Sequence, residues 1–572
     1  MVLYICENVK EISYMRGIKG YPLPFGITEN NGIVNFSVEV ESGQTCRLCI
    51  YKKGEELPEL IIELPEENAV GEVRYAALPV SKVKGREYNY EIDGIKKLDP
   101  YVKAYTTNVL TGEVRGKILM DAYEWEGDRP LCIPNYEVIA YSLHVRGFTM
   151  HRSSKVKHKG TFRGLIEKIP YLKELGINQI QCMPIYDFDE ATPYTNYWGY
   201  GDANCFAIKK RYAASKNPEK EFKDMVKVFH QNGIEVVLNM PFTEQTSKQR
   251  IMDCLRYYRM EYHVDGFVLN PYVSPMDGIR TDAILRGAKI LVNQDDYQNT
   301  MRRFLRGDKG ILQPVMQSMR KISAGNYNYI ANHNGFTLAD MVSYNRKHNE
   351  ANGENNCDGP SVNYSWNCGR EGNTRNEEIL AVRRQQRKNA MAFLLLSQGT
   401  PVILAGDEFG NSQKGNNNVY CQDNDIAWLN WNGLQKDREF FEYVKSLLDI
   451  RKKYPMFGSK SILAGTDKYG CGVPDISYHG ENAWKIDETQ KEPYLGIYYH
   501  AEHGTDSFVA YNLQECEQEM ALPTLGKQKE WHIVFTTADG QTDAEGLTRA
   551  IFEENQRKIM VPARTIMLLI GR

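Results

Sequence analysis

Cys46 and Cys49 form a CxxC, a spacing that can present two thiolates to one zinc ion. A zinc site needs two further ligands, and no second CxxC or nearby His pair supplies them. The pair therefore reads as ordinary strand cysteines. The irregular spacing of the twelve cysteines suits thiols in a reducing compartment rather than a disulfide scaffold. A second chemical hint is aromatic: the chain holds 36 Tyr, and 11% of it is Phe, Trp or Tyr. Flat aromatic faces pack cores and also stack on sugar rings, and composition alone favours the core. Carboxylates and amides near strand ends are the third group. Paired carboxylates can share acid and nucleophile duty, whereas an amide offers a donor and an acceptor but no titratable proton.

The chain has 572 residues, so about 150 residues per domain predicts about three domains, one of them large. Apolar residues at 42% and charged residues at 25% match a soluble globular chain and exclude a mainly disordered one. The formal net charge of −3 gives no electrostatic case for nucleic acid or an anionic membrane. No segment approaches ~18 consecutive apolar residues, the length that spans a bilayer. The opening MVLYICENVKEISYMRGIKG lacks the charged start, apolar run and cleavage site of a signal peptide. A cytoplasmic location is the expectation.

The elements that must position any site follow from periodicity. Over the first ~125 residues, IVNFSVEV, TCRLCIYK and YNYEID read as short strands between turns such as Asn31-Gly32, the pattern of a small sandwich. From about Tyr136 strands alternate with helices. EVIAYSLHV, INQIQCMPI, EVVLNMPF, DGFVLN, AKILVN, NYIANH and PVILAGDEF read as strands. GTFRGLIEKIPYLKELGI reads as a helix from a Thr N-cap to Gly176, and EFKDMVKVFHQNGI and IMDCLRYYRMEYHV as two more. Such alternation means parallel strands joined by crossovers, and the span suits a (β/α)8 TIM barrel. After Tyr454-Pro455, SFVAYNL, EWHIVFTT and RTIMLLI return to strands. The expected order is an N-terminal β-sandwich over 1–130, a barrel over 131–455 and a C-terminal β-sandwich over 456–572.

Longer segments are more specific. YSLHVRGFT at 141–149, NYWGYGDANCFAIKKRYA at 196–213, HVDGF at 263–267, HNGFTLADMVSYNRKHNEANGENN at 333–356 and GTPVILAGDEFGNSQKGNNNVYCQDNDIAWLNW at 399–431 are together similar to the isoamylase and glycogen-debranching branch of the α-amylase superfamily. YPLPFGITENNGIVNFSV and LDPYVKA resemble that branch's N-terminal glycogen-binding-type sandwich. The resemblance covers nearly the whole chain. It implies a glycosidase acting on α-glucan, usually at α-1,6 branch points, by a retaining mechanism with a nucleophile, an acid/base and a third, stabilising carboxylate.

Those carboxylates are replaced. The family's nucleophile ends a strand reading DGFRFD; here DGFVLN puts Asn270 at that position and Val268 where the family has Arg. The acid/base position, at the end of AKILVN, is Asn293. The third carboxylate position, in NHNGFT, is Asn334, with His333 retained. The family's DVVFNH becomes NMPFTE, giving Asn239, Thr243 and Glu244. An amide cannot protonate a leaving oxygen, and general acid catalysis alone is typically worth ~10²–10⁴-fold. Asn239 and Asn270 are separated by 31 positions, and Asn270 and Asn293 by 23. Both stretches are longer in the active family, where they build cleft walls.

The expectation is therefore a catalytically inactive, isoamylase-like protein that binds α-glucan (glycogen, starch or maltooligosaccharide) or regulates an active relative. Two alternatives stand beside it. One is a debranching hydrolase with a displaced acid/base, for which Asp295, Asp296 and Glu244 are the nearest carboxylates, Asp265 reading as structural. The other is a non-catalytic assembly partner of an active paralogue, with self-pairing also open. Tyr200 corresponds to the family's stacking platform, and Trp198, His333, Asn270 and Asn334 are candidate sugar contacts. Neither a metal nor another cofactor is expected.

Overall fold

Asn31 and Gly32 take positive φ angles of 50° and 78°, the left-handed geometry that lets a two-residue turn match the twist of its flanking strands. The turn joins Gly26–Asn30 to Ile33–Glu39 in antiparallel register in a computed structural model of the protein. The structure describes all residues except 1–12, 15–18, 109–110, 121, 192–194, 293–294, 322–324, 326, 488, 502–504, 527–528 and 539–557. The chain divides into two compact units.

The first unit comprises residues 1–127, 185–189 and 199–223. Its smaller sheet adds Val73–Pro79 beside Ile33–Glu39. Its larger sheet is built on Cys46–Lys52, flanked by Leu60–Glu63 and Arg86–Ile92. Alternation sends Val34, Phe36, Leu48, Ile50, Leu78, Tyr88 and Tyr90 into one apolar core. Phe36 and Tyr88 meet edge to face at 5.6 Å, and the Tyr88 hydroxyl donates to Asp99 at 2.7 Å, so its polar end is satisfied inside the core. Cys46 and Cys49 are buried free thiols on one strand. Residues 185–189 and 199–223 lie in a stretch that the sequence pattern assigns to the barrel. They contribute an antiparallel pair of strands, Tyr186–Phe188 and Ala203–Ile208.

The second unit holds the barrel. Its parallel strands run, in spatial order, Lys289–Val292, Gly266–Leu269, Glu235–Met240, Gln179–Cys182, Ala140–Leu143, Thr400–Leu404 and Tyr327–Asn328. Seven strands appear among the described residues, one fewer than the eight-fold pattern. The Val292 amide donates to the Gly325 carbonyl at 2.9 Å, drawing the two outer strands toward closure. Thr161 caps its helix by accepting from the Gly164 amide at 3.2 Å. The predicted single helix is interrupted at Glu167 and Lys168, just before Pro170, whose ring cannot continue the hydrogen-bond ladder. The second piece ends at Gly176 with φ 94°, the left-handed C-terminal cap that glycine adopts without strain.

The same unit carries five antiparallel strands in the order Ile476–His479, Tyr494–His500, Asp506–Asn512, Thr565–Gly571 and Trp531–Thr536. A two-stranded sheet, Gln518–Ala521 with Lys558–Val561, shares their core of Phe508, Met520, Val561 and Leu569.

Candidate functional site

A barrel of this kind does its chemistry at the C-terminal ends of its strands. Asn239 is on the third strand in sequence, half-buried, and Val268 is on the fourth. Val268 is buried with Val237, Leu291, Tyr327 and Tyr329 in the barrel core, so the position where the family places Arg is filled by packing. Asn270 follows the fourth strand and is exposed. Its side-chain oxygen accepts from the Tyr272 amide at 3.0 Å, and its carbonyl from the Ser274 amide at 3.0 Å. The Asn270 amide thus closes its own loop as an Asx turn. Asn293 lies outside the described residues.

His333 and Asn334 come from the loop after Tyr327–Asn328, with Asn334 exposed. Burial pushes the His333 imidazole down to about 4, with only the Asp295 charge opposing, so the ring is neutral at pH 7. Trp198 is 6% exposed, and its ring meets His333 edge to face at 5.0 Å. It packs, offering no open face. Tyr200 belongs to the first unit, where it is half-buried.

Two small cavities adjoin His333 in the second unit. One, of about 30 Å³, is lined by Gln181, Asn239, Val268, Tyr327, Tyr329 and His333 among others. The other, of about 60 Å³, is lined by His144, Tyr197, Trp198, His333 and Gln413 among others. Each has room for a few waters and not for a glucosyl ring. His144 Nδ1 accepts from the Gly147 amide at 3.0 Å while Nε2 faces the Tyr197 carbonyl at 2.8 Å, an arrangement that requires the proton on Nε2. Burial pushes this imidazole down to about 4.

The carboxylates separate by position. Asp265 precedes the fourth strand, at the end opposite the mouth, and accepts from the amides of Val236 (2.8 Å) and Leu131 (3.2 Å) and pairs with His230 Nε2 (2.9 Å). Glu244 and Asp296 are exposed. Asp295 accepts from the Tyr329 hydroxyl at 2.7 Å and is the carboxylate whose charge reaches His333. Retaining hydrolysis needs two carboxyl groups about 5–5.5 Å apart across the substrate, and here Asp295 is tied to a cavity-wall tyrosine. Among the described residues no group of three or more His, Cys, Asp or Glu is arranged to hold a metal ion, and no helix is long and apolar enough to cross a membrane. Sequence reasoning missed His144, Tyr327, Tyr329 and Gln181. Of these only His144 lay in a recognised segment, YSLHVRGFT, while the tyrosines read as core.

The connections are short. Between the third and fourth strands the one regular element is the helix Lys248–Glu261; between the fourth and fifth there are Met276–Thr281 and a single 3-10 turn, Leu285–Gly287. Little chain is left to build walls around a branched substrate.

Comparison with known proteins agrees with the architecture. The family described as alpha amylase, catalytic domain, matches residues 146–267. The chloroplastic isoamylase SU1 of Zea mays is 27% identical over 658 aligned residues, covering 89% of this chain and 82% of that one. The glycogen operon protein GlgX homolog of Mycobacterium tuberculosis is 26% identical, with 96% of each chain covered. Among solved structures, the GBS pullulanase SAP in complex with maltotetraose superposes with a TM-score of 0.72 at 16% identity, covering 96% of this chain and 88% of that one. In its barrel, its β-sheets and these relatives, the chain is similar to the isoamylase and glycogen-debranching branch of the α-amylase superfamily.

Proposed function

We propose that this chain is a catalytically inactive member of that branch, serving α-glucan metabolism as a glucan-binding or regulatory protein. One feature carries the reading: where the resemblance expects its three catalytic carboxylates, the sequence has Asn270, Asn293 and Asn334. The Asx turn at Asn270 and the Val268 packing support it, because both give those positions structural work. The glycogen-operon and isoamylase names of the relatives support α-glucan as the polymer concerned, and the maltotetraose held by the GBS pullulanase supports oligomaltose as a ligand class. The eleven described cysteines are all free thiols, in keeping with a cytoplasmic setting.

The small cavities favour a second reading, an assembly role beside an active paralogue without sugar in the barrel. One preparation separates the two. Incubation with glycogen or pullulan is expected to release no reducing sugar above a buffer blank; release above it overturns the inactive reading. Electrophoresis in a gel cast with glycogen is expected to retard the protein. Unchanged mobility at high glucan loading removes glucan binding and leaves the assembly role.

A further inference from the structure

The C-terminal sheets hold a second chemical constellation, remote in sequence from the barrel mouth and independent of the reading above. His500 ends one strand, and Asp506 begins the next directly opposite it in antiparallel register. His500 Nδ1 lies 2.7 Å from Asp506 Oδ1. The Asp506 side chain is 6% exposed and also accepts from the Tyr498 hydroxyl at 2.6 Å and Lys529 Nζ at 2.9 Å. Burial opposes its charge, yet the hydrogen bonds from Tyr498, His500 and Lys529 hold its carboxyl below the usual range. An ionised carboxylate at Nδ1 fixes the ring proton there and leaves Nε2 with an available lone pair. At 3.4 Å from Nε2 stands the sulfur of Cys471, an exposed residue. The His500 amide donates to the Asp475 carbonyl at 3.1 Å, and the Asp475 carboxylate accepts from the Ala464 and Gly465 amides, which anchors the Cys471 loop against the strand.

We propose that Cys471, His500 and Asp506 form an activated-thiol site whose cysteine is oxidised reversibly by hydroperoxides. The thiol proton passes to His500 Nε2, and Asp506 stabilises the imidazolium. The thiolate electron pair attacks the terminal peroxide oxygen. The S–O bond forms as the O–O bond breaks, and the departing alkoxide or hydroxide takes the proton from Nε2 and leaves as an alcohol or water. Sulfur is oxidised to a sulfenic acid and the peroxide is reduced; one thiol condenses with the sulfenic acid to a mixed disulfide with loss of water, and a second thiol reduces that disulfide, releasing Cys471 as a thiol. The surroundings select this chemistry over acyl transfer. The amides of Cys471 and Gly472, which would have to serve as an oxyanion hole, donate instead to the Asp467 carboxylate at 3.0 and 2.8 Å. Asp467 Oδ1 also lies 3.6 Å from the sulfur and opposes the thiolate, so His500 must supply the compensating charge. Tyr469 packs against the outer side of the imidazole, 6.0 Å between ring centres.

The test uses the full-length protein and iodoacetamide, with alkylation of each cysteine followed by peptide mass spectrometry. Exposed Cys132, Cys357 and Cys516 are internal references. Cys471 is expected to react about tenfold faster than these near neutral pH. His500→Gln and Asp506→Asn should return it to the reference rate, and hydrogen peroxide should make Cys471 the preferred site of dimedone labelling. A Cys471 rate equal to the references in the unaltered protein overturns the proposal, whether or not the variants fold. An unchanged Cys471 rate in a folded His500→Gln variant overturns it as well.

Discussion

Arg302→Met is expected to lower the stability of the barrel by about 3–5 kcal/mol. Arg302 lies on the helix Asp296–Arg306 and is 3% exposed. Its Nε donates to the Ile330 carbonyl at 2.7 Å, one terminal nitrogen to Asn363 at 3.1 Å and the other to Phe336 at 3.1 Å. The guanidinium thereby braces both ends of the 330–336 loop that carries His333 and Asn334. Burial pulls its pKa down to about 10, while Asp407 and Asp295 oppose the shift, and it stays charged at neutral pH. Methionine fills much of the volume but leaves three carbonyls in a dry site without that donor. Lysine keeps the charge but lacks the planar fork, so Arg302→Lys should fall between the two. Denaturant midpoints followed by tryptophan fluorescence check this order. A methionine variant as stable as the parent removes the bracing role. Loss of the brace should also open the mouth loop, seen as faster amide exchange over 330–336.

The barrel was legible because its strands are nearly continuous apolar runs separated by capped helices: the Thr161 hydroxyl starts one helical piece, and Gly176 ends the next by taking a left-handed backbone. The N-terminal hairpin was legible because Asn-Gly specifies its own turn. Other features were not local. The pair of Tyr186–Phe188 and Ala203–Ile208 reads as short strands, but nothing in its pattern says which compact unit receives it. The candidate site was legible as positions and not as a shape. Tyr327 and Tyr329 look like core residues in a string of letters, and only the fold reveals that they narrow the cavity beneath His333. Asn270 could be read as an amide where the resemblance expects a nucleophile, but its engagement with the Tyr272 amide depends on the loop's path. The thiol site was hidden for a related reason: Cys471 is far from His500 in sequence, and strand register together with the Asp475 anchor brings them into contact.

Asp265→Ala is expected to cost about 3–5 kcal/mol and to change how stability depends on pH. His230 is buried between two carboxylates, with Nδ1 at 3.0 Å from Asp128 and Nε2 at 2.9 Å from Asp265. Asp128 also pairs with His263 Nδ1 at 2.9 Å. Burial opposes the charged His230 ring, but hydrogen bonding and charge from Asp265 and Asp128 outweigh it, and the pKa rises above its ordinary value. A histidine whose folded pKa is raised contributes stability that is complete below the unfolded pKa of ~6.5 and is lost as pH rises through the folded value. The parent should therefore lose part of its denaturant midpoint as pH rises above the ordinary histidine value of ~6.5. His230→Gln should flatten that segment of the profile, because its side chain does not titrate. Asp265→Ala should flatten it too, and should lower stability at every pH, because the amides of Val236 and Leu131 lose their acceptor as well. Midpoints for parent and both variants across this range give the comparison. An identical slope in all three would mean that His230 does not carry the proton. Asp265 thus acts as a structural anchor at the barrel's closed end, where its charge stabilises the fold with no part in chemistry at the mouth.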